Sequence, residues 1–296
     1  TLPTTEGAGW RFEYRREKGL DCISEVWTPL GAHETVLYND DGHGFPGNDT
    51  QRKLPRVTDH TLNPGGGNPP TVLKYTYSPE GHNFLGFGSG VDWDDDGLDN
   101  LFKVLKPYFY TTTESLMEGT DTVRSITRTF NRFHLQTQEI IAQGNHQKTI
   151  RTRYYADDDD KLSFDNQPRQ CQLAKATSTL WSLSDDPRFW RMDREFSEYD
   201  IHGNQTLQVA SSGMTERISY YPAEGINGLC PPDPHGFVRH VHEKTVTPAS
   251  NPEQVADLAP GAPTLRTRFR YESLPPITPV NASPITERWL CVVEER

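Results

Sequence analysis

An all-β fold is what this sequence predicts, and three observations carry that expectation. The chain is only 33% hydrophobic over 296 residues, yet it holds 6 Trp, 12 Tyr and 13 Phe. Aromatic and Thr-rich segments suit the pleated, half-buried surface of a strand. The stretch Gly9-Trp10-Arg11-Phe12-Glu13-Tyr14-Arg15 alternates aromatic with polar residues, the period of two that sends one kind of side chain to each face of a strand. Convincing 3.6-residue periodicity is missing throughout, and a short turn near Asn251 to Leu258 is the best helical candidate.

In chain order, strands are expected after the first at Cys22 to Trp27 and Glu34 to Tyr38. The breaker-rich stretches Asn39 to Gly47 and Asn63 to Pro70 read as loops, because their Gly and Pro density cannot hold a central strand. Strand signals resume at Thr71 to Tyr77, Tyr108 to Thr113, Val123 to Leu135, Gln138 to Ala142 and Thr149 to Tyr155. After the acidic run Asp157 to Asp160, a solvated loop, strands are expected at Arg191 to Tyr199, Gln205 to Ala210 and Glu216 to Tyr221. Pro-rich loops follow at Cys230 to Pro234, Pro248 to Pro263 and Leu274 to Pro284. Two regions are expected: residues 1–70, of strands and Gly/Pro-rich loops, and residues 71–296, a repeat-bearing sheet continuous with the first.

Charge and composition remove several function classes. With 41 acidic against 30 basic residues and a net charge of -11, no basic stripe is available for nucleic acid. No apolar run approaches the ~20 residues of a membrane-spanning helix. The opening Thr-Leu-Pro-Thr-Thr carries no signal-peptide pattern. Cys22, Cys171, Cys230 and Cys291 are scattered without metal-ligand spacing and are read most simply as free thiols. The low hydrophobic fraction points to sheets that bury a face incompletely, or against more of their own chain.

Internal repetition is the informative signal. When Phe130 is set on Tyr199, Asn131 falls on Asp200, Thr137 on Thr206, Ile140 on Val209 and Gly144 on Gly213. Each copy ends in a Tyr pair, Tyr154-Tyr155 and Tyr220-Tyr221, and Tyr77-Ser-Pro-Glu-Gly81 is a looser third copy. The unit is strand, tight turn at x-x-Gly203-Asn204, strand, turn at Gly213, and a strand ending in Tyr220. Gly and Asn admit the positive φ that such turns need. Repeated units of this kind are expected to stack on their neighbours in one sheet.

Tyr199-Asp200-x-x-Gly203-Asn204, continuing through Gly213 to Tyr220, resembles the YD repeat of Rhs (rearrangement hotspot) proteins. The segments Gly42 to Gly47, Leu54-Pro-Arg-Val57, Tyr77 to Gly90 and Phe130 to Leu135 are similar to Rhs-type components of bacterial insecticidal toxin complexes. The resemblance covers most of the chain. It implies antiparallel strands in an extended curved sheet, part of a hollow shell that encloses a toxic polypeptide. It further implies a structural segment with no catalysis and no cofactor. Its partners would be the rest of its own chain, a companion shell subunit and the enclosed toxin segment. The protein would be secreted or surface-associated and bacterial.

Other constellations are weighed against plainer readings. Asp92, Asp94 and Asp96, followed by Gly97 and Asn100, match the opening of a calcium loop, but Lys103 stands where a bidentate Glu would close it. This is read as an acidic turn. The Gly86 to Gly90 stretch lacks the spacing of a dinucleotide loop or a nucleophile elbow. His240 and His242 share a strand face without an evident third ligand and are read as solvent-facing. Asp233-Pro-His-Gly-Phe237 resembles the D-P-x-G-L sequence near the self-cleavage site of Rhs shells, with Phe237 in place of Leu; it is read as an Asp-Pro turn, and no catalytic residue is named. Trp181, Trp190 and Trp289 offer surfaces on which sugars could stack, which makes a carbohydrate- or cell-surface-binding β module the alternative reading. The sequons at Asn48, Asn204 and Asn281 carry no weight in a bacterial protein. Unpaired edges are expected around Phe12 and at Glu287 to Val293.

Overall fold

A computed structural model describes residues 2–3, 9–47, 53–79, 81–94, 96–156, 162–249, 262–274 and 289–295. Among these the chain forms seventeen strands and two 3-10 turns, with no α-helix. The expectations for residues 157–160, 251–258, 287 and 288, and for the sequons at Asn48 and Asn281, lie outside the described residues, as does the side chain of Trp289. All four cysteines carry free thiols.

The chain divides into two compact units, residues 1–167 with 178–192, and residues 168–177 with 193–296. In the first unit run β1 (Leu2–Pro3), β2 (Gly9–Glu17), β3 (Leu20–Trp27), β4 (His33–His43), β5 (Leu54–Asn63) and β6 (Thr71–Tyr77). They are followed by β7 (Phe109–Glu118), β8 (Asp121–Asn131), β9 (Gln136–Gln143) and β10 (His146–Tyr154). Each pairs antiparallel with its neighbour in sequence, an uninterrupted meander. Next come β11 (Ala174–Leu183) and β12 (Trp190–Tyr199). In the second unit the end of β12 leads to β13 (Gln205–Val209), β14 (Thr215–Tyr220), β15 (Val241–Thr247), β16 (Leu265–Leu274) and β17 (Trp289–Glu295), again by nearest-neighbour antiparallel pairing.

In three of these strands side chains do not sort into a buried and a solvated face, whereas β10 and β14 alternate in part. Every residue of β5 but the last is half-buried, and β9 and β15 follow the same pattern. Successive residues of a strand point to opposite faces, so both faces of these strands are shielded to a similar, partial degree. Lateral contacts within a sheet give that degree of shielding. A second layer packed on one side would instead bury alternate residues fully.

The one compact apolar cluster among the described residues lies where β6 joins β7. Leu101, Val104, Tyr108 and Tyr110 are buried there, with Val91 and Phe130 packed against them. Asp99 caps the 3-10 turn Asn100–Lys103 through an Oδ1 that accepts from Leu101 N at 2.8 Å. The Arg132 guanidinium, fully buried, donates to Val104 O and to Leu162 O and lies 4.3 Å over the Phe133 ring.

Several expectations are corrected. The strand placed at Val123 to Leu135 ends at Asn131, and residues 132–135 are a turn. Residues 39–43, expected in a loop, extend β4 across a register shift between Asn39 and His43. Gly42 makes that possible, because a Cβ there would lie 1.8 Å from Leu54 O. β5, β11, β15 and β16 are strands beyond those expected: β11 and β15, rich in Thr, Ser or Lys, lack an apolar alternation, whereas β16 sets Leu265, Thr267, Phe269 and Tyr271 against Arg266, Arg268, Arg270 and Glu272.

Candidate functional site

The repeat residues of the second unit sit at one turn and its two flanking strands. Tyr199 ends β12, where the pairing with β13 slips between Glu198 and Tyr199. Asp200 Oδ1 then accepts from His202 N at 2.8 Å and Asn204 N at 2.9 Å, and Gly203 N donates to Asp200 O at 3.1 Å. Gly203 takes φ +84°, a left-handed conformation that costs an L side chain about 1–2 kcal/mol. Asn204 Nδ2 donates to Asp200 Oδ2 at 3.1 Å and to Val238 O at 2.7 Å. Gly213, at φ +86°, turns the chain into β14, and the Tyr220 hydroxyl at the end of β14 donates to Gln205 O at 2.9 Å.

The Phe130 copy in the first unit repeats this bonding pattern. The β8–β9 pairing slips between Thr129 and Phe130. Asn131 Oδ1 accepts from Phe133 N at 3.0 Å and Leu135 N at 3.1 Å, and His134 N donates to Asn131 O at 3.0 Å. Gly144, at φ +56°, lies in the two-residue turn between Gln143 and its partner His146. Tyr154 Oη donates to Gln136 O at 3.0 Å. Gln136 and Gln205 open β9 and β13, at the same offset that superposes Asn131 on Asp200.

Two further turns use the same bonds. Asn83 Oδ1 accepts from Leu85 N at 2.9 Å and Phe87 N at 3.4 Å, with Gly86 at φ +93°. Asp233 Oδ1 accepts from His235 N at 2.9 Å and Phe237 N at 3.1 Å, with Gly236 at φ +73°. An Asn or Asp followed three residues later by Gly was the available signal at all the glycine copies. Tyr77-Ser-Pro-Glu-Gly81 shares less: Ser78 O accepts from Gly81 N, but Ser78 Oγ accepts from Thr111 N, across the sheet. Tyr77 Oη nevertheless donates to Val57 O at 2.9 Å on the preceding strand, as Tyr38 Oη does to Ile23 O.

Asp233 is the most heavily engaged carboxylate of the second unit. Its side chain is 1% exposed, and Oδ2 meets Arg239 Nε at 2.6 Å and His240 Nε2 at 3.2 Å. Burial acts to raise its pKa, but the two backbone donors and Arg239 outweigh it and hold the group at about 2. His240 is therefore turned to Asp233, while the His242 ring packs 4.7 Å from the Tyr221 ring. The pair expected to face solvent is instead divided between a carboxylate and an aromatic ring. In the acidic loop, Lys103 Nζ lies 3.2 Å from Asp94 Oδ2 and 2.9 Å from Asp96 Oδ2. An ammonium thus occupies the space between the carboxylates that a calcium ion would need.

A separate concavity in the first unit, of about 350 Å³, lies where the tips of β9, β10, β11 and β12 meet, and Trp181 and Trp190 both line it.

The fold and these turns define the class: an all-β chain of antiparallel meanders punctuated by side-chain-anchored turns. No family model matches it, and no curated protein matches it. Solved structures that are similar include the crystal structures of TcdB2-TccC3-Cdc42, TcdB2-TccC3-TEV and TcdB2-TccC3, at 10%, 12% and 11% identity and TM-scores of 0.32, 0.33 and 0.33. The matches cover 85%, 92% and 85% of this chain but only 10%, 11% and 10% of theirs. The chain spans about a tenth of the length of those chains.

Proposed function

We propose that this chain is a structural segment of an Rhs-type shell wall, which helps enclose and deliver a toxic polypeptide and does no chemistry of its own. The observation that carries this reading is the partial shielding of both faces along β5, β9 and β15. A sheet with lumen on one side and solvent on the other needs no fully buried face. A binding or catalytic domain that stands alone needs one, because a packed core supplies most of its stability. Recurring turns add support, since each carries its own side-chain anchor and can be added to a growing sheet without a new core.

On this reading residues 71–296 form the repeat-bearing part, continuous with residues 1–70. Its partners are the rest of its own chain, a companion shell subunit and the enclosed segment, and it is secreted or surface-associated from a bacterium. The repeat residues Phe130, Asn131, Gly144, Tyr199, Asp200, Gly203, Asn204, Gly213 and Tyr220 shape the wall. Asp233, ionised at neutral pH and saturated with donors, is unsuited to the shared-proton chemistry of paired catalytic aspartates, so it too serves as a turn anchor.

The test is protease protection in the full-length protein. A wall segment predicts that one internal polypeptide resists digestion while the shell is intact and becomes sensitive when the shell is opened by Asp200→Ala with Asn131→Ala. Equal sensitivity of all segments in the intact protein would contradict the proposal.

A further inference from the structure

We propose that the concavity at the tips of β9–β12 is a binding site for an acidic sugar, one that carries a carboxylate on a pyranose ring. The inference stands on this surface alone and does not depend on the wall reading. Two hairpin ends build the site. Ser184 N donates to Asn145 O at 2.8 Å and Asn145 Nδ2 to Asp185 Oδ2 at 2.9 Å, and these bonds tie the β11–β12 loop to the β9–β10 turn. A bidentate Arg188–Asp186 pair stiffens the loop itself. The aromatic rings are therefore presented from an ordered frame, which lowers the entropy cost of binding.

The frame gathers three exposed aromatic rings at one concavity. Phe189 and Trp190 are 60% and 64% exposed, and Trp181 is 37% exposed. Large aromatic rings left in solvent beside a concavity are the feature expected of a ligand site rather than of a core. Lys148 Nζ and Arg191 Cζ lie 5.8 Å and 5.3 Å over the Trp181 ring, so cations cover that ring while the more exposed Trp190 offers the stacking face. The lining holds Lys148, Arg191 and His146 but neither Asp nor Glu, although the whole chain carries a net charge of -11.

Ligand chemistry follows from that combination. An aromatic face suits the apolar C–H face of a sugar ring, whereas the cations suit an anion and gain strength as charge-assisted hydrogen bonds. Gln143 and Gln147 in the lining supply donors and acceptors for ring hydroxyls. A volume of about 350 Å³ is at the small end of ligand pockets, the size of one or two sugar residues. An acidic peptide fits less well. Acidic motifs are recognised by clusters of arginines, and the lining holds a single one, Arg191.

The experiment is a tryptophan-fluorescence titration of the intact chain with glucuronate, with glucose as the neutral control and polyglutamate as competitor. Saturable quenching by glucuronate is expected, with glucose weaker by about tenfold or more. Trp190→Ala should abolish both responses, and Lys148→Gln should erase the preference for glucuronate while glucose binding is kept. Circular dichroism of each variant must match that of the parent, and if Trp190→Ala does not fold, Trp190→Gln, which keeps bulk without an aromatic face, takes its place with the same expected loss of both responses. Equal binding of glucose and glucuronate, loss to polyglutamate at equal carboxylate concentration, no saturable response, or variants that bind like the parent would each overturn the proposal.

Discussion

The turns after β8 and β12 make the same bonds from different residues. At the second, Asp200 is the acceptor and Gly203 takes the left-handed position; at the first, Asn131 is the acceptor and His134 sits at φ +59°. A histidine there carries backbone strain that glycine does not. It is held from both sides, as Nδ1 meets Tyr110 Oη at 2.9 Å and Nε2 meets Asp99 Oδ2 at 2.8 Å. The strained residue thus fastens the turn to the apolar cluster between β6 and β7, whereas the glycine turn is fastened through Asn204, whose Nδ2 donates to Val238 O. The repeat conserves a pattern of hydrogen bonds, and side chains vary according to what lies beside each turn.

Removing an acceptor should have the largest effect. Asp233→Ala leaves two backbone donors and His240 without their partner in a buried site, and the half-exposed Arg239 without its ion pair, a loss of about 3 kcal/mol. Asn131→Ala and Asp200→Ala should cost about 2 kcal/mol each, read from hydrogen-exchange protection in their own units. The swaps Asn131→Asp and Asp200→Asn keep the acceptor and should cost less than about 1 kcal/mol. If the alanine variants were no worse than the swaps, the bonding pattern would not be what the two turns share.

The left-handed position separates the two turns more finely. Gly203→Ala should cost about 1–2 kcal/mol, even though a Cβ there would meet nothing nearer than Leu173 Cδ1 at 3.9 Å. His134→Gly relieves strain but removes two hydrogen bonds, so it should change stability by less than about 1 kcal/mol. Equal losses at both positions, measured by urea unfolding, would mean that backbone conformation is irrelevant to the difference. Tyr154→Phe and Tyr220→Phe remove matching hydroxyl bonds and should each cost about 1 kcal/mol.

Acid should act on the two units in different windows. Burial, aided by Arg56, lowers His43 from 6.5 to about 4. The folded state favours the neutral ring, so its contribution is complete above pH 6.5 and is lost as pH falls toward 4. Asp233, lowered from 3.8 to about 2, contributes fully above 3.8 and loses that contribution only as pH falls toward 2. Exchange protection around β4 should therefore decline first, and His43→Phe should remove that early decline. The smallest expected response is to calcium: with Lys103 between Asp94 and Asp96, a calorimetric titration should show weak binding or none. Micromolar binding that Asp94→Ala removes would reverse this.

Much of the fold was legible because aromatic and β-branched residues alternate in β2, β6 and β10. Some strands escaped because polar side chains hide the period, as His242, Glu243 and Lys244 do in β15; β16 carried a legible alternation of Leu265, Phe269 and Tyr271 with arginines. The Asp200 turn was readable through its Gly203, and its equivalence to Asn131 through the shared offset. The Asn83 turn had the same Asn-x-x-Gly spacing and went unread because the glycines at 86, 88 and 90 look like a flexible run. Nothing in the sequence shows that Trp181 and Trp190 share one concavity with Lys148, since that depends on where two hairpin tips meet.

The most direct measurement is an electron cryo-microscopy reconstruction of the full-length protein. The wall reading predicts that the strands of residues 71–296 continue into a closed sheet with polypeptide density inside it. A reconstruction in which these residues form a free-standing domain with its own covered core, and no enclosed density, would contradict it.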